Sequence, residues 1–242
     1  MSKLTANIWG AHAVRAAWLN PAREISHIFV TEQAVREFSS FQAMKGAKRP
    51  SPTLVSKKDL DKMTDHAVHQ GMALVAASLP EIFLGDLLVA TAAQNRSVLL
   101  MLDQVTDPHN VGAILRSACA FGAAGLILQK KHAPTLDGVL AKTACGAMEH
   151  VPVLSETNLS RTIEQLQDAG WTVIGLDERG SRTIGQFDLP EKLVLVLGAE
   201  GPGLRQNVAH HCDFLAKLEM KGPMPSINVS NAAAVALYAA TL

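Results

Sequence analysis

From Val98 onward, short apolar runs alternate with stretches whose apolar residues recur at helical spacing. VLLMLD (98–103), GLILQ (125–129), WTVIGLD (171–177), LVLVLG (193–198) and FLAKLEM (214–220) read as strands. Most are apolar throughout, as strands buried on both faces are. Helical patterns run over 111–122, 138–147, 160–169 and 204–211, and a last helix covers 230–241. This alternation predicts an α/β unit: an open, mostly parallel sheet with helices on both sides.

The first 78 residues carry a different, more broken pattern. Gly10–Asn20 is amphipathic, with Ala13, Val14, Ala17 and Trp18 on one side, and stops before Pro21. Strand-like segments follow at Ile25–Thr31, Thr53–Ser56 and Met72–Ala77, with helices at Glu32–Met44 and Lys57–Met63 and a loop, GAKRPSP, between. A small sheet covered by helices is expected. Residues 79–95, punctuated by Pro80 and Gly85 and closed by the polar run Gln94–Arg96, read as a linker with a connecting helix. The expected division is therefore 1–78, a linker at 79–95, and 96–242.

Charge separates the two halves further. The chain has no formal net charge, but residues 1–78 carry ten Lys/Arg against six Asp/Glu, and residues 79–242 twelve against sixteen. Lys45, Lys48, Arg49, Lys57 and Lys58 form a basic cluster, which would attract a phosphate backbone. No apolar run reaches the ~18 residues of a membrane span, and the start lacks a signal peptide's apolar core. A cytoplasmic protein is expected. Cys119, Cys145 and Cys212 are widely spaced with no CxxC pair, which argues against secretion and against a zinc site. His66 and His69 lack the further ligands that a metal needs.

Three segments carry the candidate chemistry. In Asp107-Pro108-His109-Asn110, Pro108 restrains the loop, Asn110 is placed to cap the next helix, and Arg116 follows on its second turn. In Leu197-Gly198-Ala199-Glu200-Gly201-Pro202-Gly203-Leu204, a buried strand ends in a Gly-rich loop, the position where open α/β sheets bind ligands. It is neither GxGxxG nor a Walker A sequence. Its carboxylate, Glu200, is the unusual element, with capping of the 204–211 helix as its plainer role. In Pro225-Ser226-Ile227-Asn228-Val229-Ser230-Asn231, Ser226, Asn228 and Ser230 alternate and would share one face of an extended stretch. Ser230 or Asn231 could cap the last helix.

In this order and spacing, the three segments resemble the motifs of the SPOUT superfamily of RNA methyltransferases, in its SpoU/TrmH branch of ribose 2′-O-methyltransferases. GAHAVRAA (10–17) and His69-Gln70-Gly71 resemble that family's substrate-binding domain, built like a small ribosomal L30-type protein. The resemblance implies a C-terminal trefoil knot, which periodicity would not have suggested because true knots are nearly absent from proteins. It implies S-adenosylmethionine as cofactor, held near Gly198, Gly201, Leu218, Met220 and Ile227. It places Asn110, Arg116, Glu200, Ser226 and Asn228 in the active site, with no metal, and it implies a homodimer. Ile227 departs mildly from the family pattern, and Pro225 could shift Ser226.

The activity implied is transfer of a methyl group to a ribose 2′-hydroxyl, which makes RNA and not DNA the partner. Among family members the N-terminal domain points to those acting on a guanosine of 23S rRNA. A tRNA 2′-O-methyltransferase and a non-catalytic RNA-binding or ribosome-assembly factor are the alternatives. The resemblance also implies that Arg116 takes the hydroxyl proton. A guanidinium is ordinarily never neutral, so binding the adjacent phosphate and stabilising developing negative charge is the physically easier role.

Overall fold

The computed structural model describes residues 5–43 and 49–241. Met44, Lys45 and Lys48, which the sequence assigns to a helix end and a basic cluster, lie outside the described residues. The chain divides into two compact units. The first holds residues up to Glu81 together with Thr135–His150, and the second holds Ile82–Pro134 and Val151–Leu242.

The first unit begins with β1 (Ile8–Trp9), α1 (Ala11–Leu19), β2 (Ile25–Val30), α2 (Val35–Gln42), β3 (Thr53–Leu54), α3 (Lys57–Met63) and β4 (Met72–Ala76). Its four strands lie in the order β1-β4-β2-β3, with only β2 and β3 parallel. The apolar stripe of α1 is buried as expected through Ala13, Val14, Ala17 and Trp18. Ser56 caps α3 by accepting from Asp59 N at 3.1 Å. Arg49 is not free for a phosphate. Its guanidinium donates to the carbonyls of Trp18, Asn20 and Arg23 at 2.8, 2.6 and 2.7 Å, closing the chain that leaves α1. Burial lowers its pKa, with Glu149 opposing the shift.

The second unit opens with α4 (Leu84–Thr91), β5 (Ser97–Asp103), α5 (Pro108–Ala120) and β6 (Gly125–Gln129). The chain then returns to the first unit for α6 (Gly138–Thr143) and a 3₁₀ turn at Ala147–Glu149. Two expected boundaries are thus corrected. Residues 79–95 are not a free linker, because Leu84 and Leu87 of α4 are buried in the second unit's core. Residues 135–150 do not belong with 96–242. Glu149 fastens them to the first unit through a buried ion pair with Arg23 at 2.6 Å.

The remaining elements are β7 (Val153–Glu156), α7 (Leu159–Asp168), β8 (Thr172–Leu176), β9 (Arg182–Thr183), β10 (Lys192–Gly198), α8 (Gln206–His211), β11 (Phe214–Lys217) and α9 (Val229–Thr241). Seven strands form one sheet in the order β7-β6-β5-β10-β8-β11-β9, every neighbouring pair parallel. All seven residues of β5 are buried. Leu99, Met101, Val194, Val196 and Trp171 share one core cluster. The apolar runs were strands because helices cover both faces of the sheet. β7 and β9, which the sequence reading did not anticipate, are its two edges.

Candidate active site

A cleft of about 980 Å³ opens at the carboxyl ends of β8, β10 and β11. It is lined by residues 176–179, 197–203, 217–220 and 225–229, with Thr183 and Ala232. This is the end of a parallel sheet where ligands bind, because loops diverge there and leave a crevice. Gly198, Gly201, Leu218, Met220 and Ile227, named from the sequence, all line it.

The Gly-rich loop is built by backbone contact. Gly203 N donates to Ala199 O at 3.0 Å, folding the loop back on its own start. A Cβ on Gly198 would lie 2.1 Å from the Gly203 carbonyl carbon, so only glycine fits. Gly201 and Gly203 have φ of +84° and +67°, a region costly for side-chain-bearing residues. The cleft floor is therefore peptide backbone, with Leu218, Met220 and Ile227 supplying apolar wall. A flat heteroaromatic ring with polar edges suits such a lining.

At the cleft's edge three side chains from distant segments meet. Asn228 Nδ2 donates to Asn110 Oδ1 at 3.0 Å and also to Glu200 Oε1. Asn110 Nδ2 donates to the same Glu200 oxygen at 3.3 Å. Ser226 lines the cleft beside them. Arg116 is exposed on α5, and among the described residues it has no hydrogen-bond or ion-pair partner. Six residues beyond Asn110, it sits roughly 120° around the helix from it.

Local capping explains how these residues come free. Asn110 does not cap α5. Asp107 does, accepting from His109 N at 3.0 Å, because Pro108 occupies the first helical position. Nor does Glu200 cap α8. Arg205 N, at that helix start, donates instead to the buried Asp103 at 2.9 Å, and Arg205 Nε to the same carboxylate at 2.7 Å. At α9, Asn228 itself takes the capping role assigned to Ser230 or Asn231, its Oδ1 accepting from Ser230 N at 2.8 Å. Asn228 is thereby fixed at both ends of its amide.

Asp177 and Arg179 also line the cleft and were missed in the sequence. Arg179 binds both carboxylate oxygens of Asp177 at 2.7 Å and reaches Leu204 O at 3.2 Å, tying the end of β8 to the glycine loop. The hydrogen bond from Arg179 holds the Asp177 carboxyl below its ordinary range. A carboxylate one residue past a buried strand, in GLDERG, was the available signal.

The three cysteines are free. Burial pushes the Cys212 thiol up to about 12, with Asp213, Asp103 and Asp177 adding to it. The folded state therefore holds this proton more tightly than the unfolded chain. The stabilisation is full below the unfolded thiol's ordinary value and is lost as pH rises toward the folded one, by up to about 1.4 kcal/mol per pH unit. Folded protein at pH 8 should alkylate at Cys212 far more slowly than urea-unfolded protein, and Cys212→Ala should flatten the loss of thermal stability between pH 9 and 11. Equal alkylation rates would contradict the burial.

Residues 97–238 match the model of the SpoU rRNA Methylase family. The chain belongs to this family. Residues 7–81 match the RNA 2′-O ribose methyltransferase substrate-binding model. The SpoU relatives include the 23S rRNA (guanosine-2′-O-)-methyltransferase RlmB of Pseudomonas putida, 38% identical over 99% of this chain and 97% of that one. RlmB of Haemophilus influenzae is 37% identical over 97% and 96%. The SpoU methyltransferase AviRb from Streptomyces viridochromogenes shares the fold, with a TM-score of 0.78 at 21% identity over 98% of this chain and 89% of that one. AviRb has also been solved with AdoMet, which is S-adenosylmethionine, bound. No group of three or more metal-ligating side chains occurs among the described residues, and no described helix is long and apolar enough to cross a membrane.

Proposed function

We propose that this chain methylates a ribose 2′-hydroxyl of RNA with S-adenosylmethionine, its substrate being a guanosine of 23S rRNA. The observation that carries this reading is the Asn110–Glu200–Asn228 cluster beside a backbone-lined glycine cleft. The relatives named above, matched over nearly their whole length, act on that substrate by name. Gly198, Gly201, Leu218, Met220 and Ile227 hold the cofactor, which supplies an activated methyl group. The first unit, with Lys57 and Lys58 exposed on α3, holds the RNA.

Because the methyl donor is already activated, the protein's main task is alignment. Asn110, Asn228 and Ser226 orient the ribose. Arg116, unpartnered among the described residues, binds the adjacent phosphate and stabilises negative charge as it develops on oxygen. A trefoil knot around the glycine loop, a homodimer and a cytoplasmic location belong to the same reading. Val235 and Tyr238 stand exposed on α9, which packs on α5, and offer apolar surface for a second copy.

Arg116→Ala should reduce single-turnover methylation on the order of 10²–10³-fold with cofactor affinity unchanged. Arg116→Lys separates two versions of the role. A purely electrostatic contact retains measurable turnover, whereas two-point phosphate binding does not. An Arg116→Ala protein as active as wild type would remove Arg116 from the site. Methyl transfer to tRNA in place of 23S rRNA would move the substrate to the other RNA class.

A further inference from the structure

The carboxyl end of the seven-stranded sheet extends beyond the cleft. β10, β5 and β6 are consecutive parallel neighbours, with Gly198 level with Asp103 and Leu102 level with Leu128. The loops that leave them start in one row: Ala199 after β10, Gln104 after β5 and Lys130 after β6. Neighbouring strands lie about 4.8 Å apart. The β6 loop is therefore rooted roughly 10 Å from the glycine loop and roughly 5 Å from the loop that leads to Asn110. It opens with Lys130-Lys131-His132, all three exposed. Its first residue is fixed, since Lys130 N donates to Glu156 O of the edge strand β7 at 2.8 Å.

Other cations of the second unit are already used. Arg179 binds Asp177, Arg205 binds Asp103, and Lys192 donates to the carbonyls of Thr91 and Gln94. Lys130 and Lys131 form no ion pair or side-chain hydrogen bond among the described residues. Glu156, opposite Gln129 in register, is joined to neither of them. Acidic residues outnumber basic ones in this unit, and these two lysines are its only consecutive basic residues. Two uncommitted ammonium groups thus sit at the end of the sheet that carries the asparagine–glutamate cluster.

We propose that Lys130 and Lys131 bind backbone phosphates of the RNA strand flanking the target nucleotide, a contact that rests on the function proposed above. A ribose held at Asn110 and Asn228 sends its strand across the ends of β5 and β6. At about 3.4 Å of rise per nucleotide, the row from the glycine loop to the β6 loop spans two or three stacked nucleotides. The lysines meet the phosphates as point charges, which fixes the register of the strand and reads no base. The second unit therefore grips RNA itself, next to the site of transfer, in addition to the grip of the first unit.

The test follows binding of the full chain to a 23S rRNA fragment and to an unrelated single-stranded RNA, by fluorescence anisotropy over a range of salt. Lys130→Ala with Lys131→Ala removes two phosphate contacts. The slope of log affinity against log salt should flatten by about 1.4, and affinity at about 0.1 M salt should fall on the order of 20-fold. Both RNAs should lose equally, because phosphates carry no sequence. Lys130→Arg with Lys131→Arg should keep the wild-type slope. Arg96 is an exposed cation immediately before β5, roughly 20 Å away at the opposite end of that strand. Arg96→Ala should change neither slope nor affinity. S-adenosylmethionine binding within threefold of wild type in each variant checks the fold. An unchanged slope in the double alanine variant, an equal loss in Arg96→Ala, or a loss confined to the 23S rRNA fragment overturns the contact. Wild-type protein that methylates no RNA removes the proposed function on that result alone, whatever the slopes.

Discussion

Gly198→Ala should bind S-adenosylmethionine on the order of 10–100-fold more weakly than wild type. The added methyl group would meet the Gly203 carbonyl carbon at 2.1 Å, its oxygen at 2.3 Å and Leu204 N at 2.4 Å. All three are backbone atoms, so no side-chain rotation relieves the clash. β10 cannot retreat either. It is paired on one side with β5 and on the other with β8, in register along nearly its whole length. The strain, typically 1–3 kcal/mol for an overpacked site, must be relieved by moving the loop that floors the cleft. Two other glycines calibrate the effect. Gly201 has open space but a φ of +84°, so alanine there should cost about 1 kcal/mol and weaken binding moderately. Gly185 has neither a close neighbour nor a positive φ, and alanine there should be silent. Calorimetric titration of the three variants tests the order. Wild-type affinity in Gly198→Ala would mean that the loop is not the cofactor's cradle.

The second large effect concerns stability. Glu149→Ala should lower the unfolding free energy of the first unit by about 3–5 kcal/mol. The Arg23 and Glu149 side chains are 3% and 2% exposed. Arg23 Nη2 and Nε reach the two Glu149 oxygens at 2.6 and 3.2 Å, Asn20 Nδ2 donates to Oε2 at 2.7 Å, and Arg23 Nη1 donates to Ala77 O at 2.9 Å. Removing the carboxylate strands a buried guanidinium, and that desolvated charge, rather than the loss of one attraction, sets the cost. Replacing both partners by apolar residues, as in Arg23→Met with Glu149→Leu, should recover much of the loss. Added salt should hardly alter the effect, because buried pairs are poorly screened. Urea denaturation followed through tryptophan fluorescence suits the measurement, since Trp9 and Trp18 lie in this unit and Trp18 is buried. A loss below about 1 kcal/mol would class the pair with ordinary surface salt bridges.

The strands of the second unit were legible because burial on both faces leaves no polar alternation to confuse the pattern. The residue pattern made the candidate site legible as three segments, and only the family resemblance joined them into one place. Asn110, Glu200 and Asn228 lie 90 and 28 residues apart in sequence, and only the sheet order, with β10 inserted between β5 and β8, brings their loops together. Capping was misassigned in each motif. At α5 and α9 a nearby Asx residue, Asp107 or Asn228, takes the helix end, whereas at α8 the buried Asp103, distant in sequence, accepts from Arg205 N. β7 escaped notice because it is a short, half-buried edge strand behind Pro152. The return of residues 135–150 to the first unit had no local signal at all, since Glu149 finds Arg23 across 126 residues. Arg49 illustrates the opposite failure. It looked like part of a basic surface, yet each of its three guanidinium nitrogens donates to a backbone carbonyl.

The proposed methylation of ribose in 23S rRNA by the glycine cleft and the Asn110–Glu200–Asn228 cluster is tested most directly by nucleoside mass spectrometry of unmodified 23S rRNA after incubation with the purified protein and S-adenosylmethionine. New 2′-O-methylguanosine is expected, absent when Asn228→Ala protein is used. Unmethylated ribose in the rRNA, from protein that binds the cofactor, would contradict it.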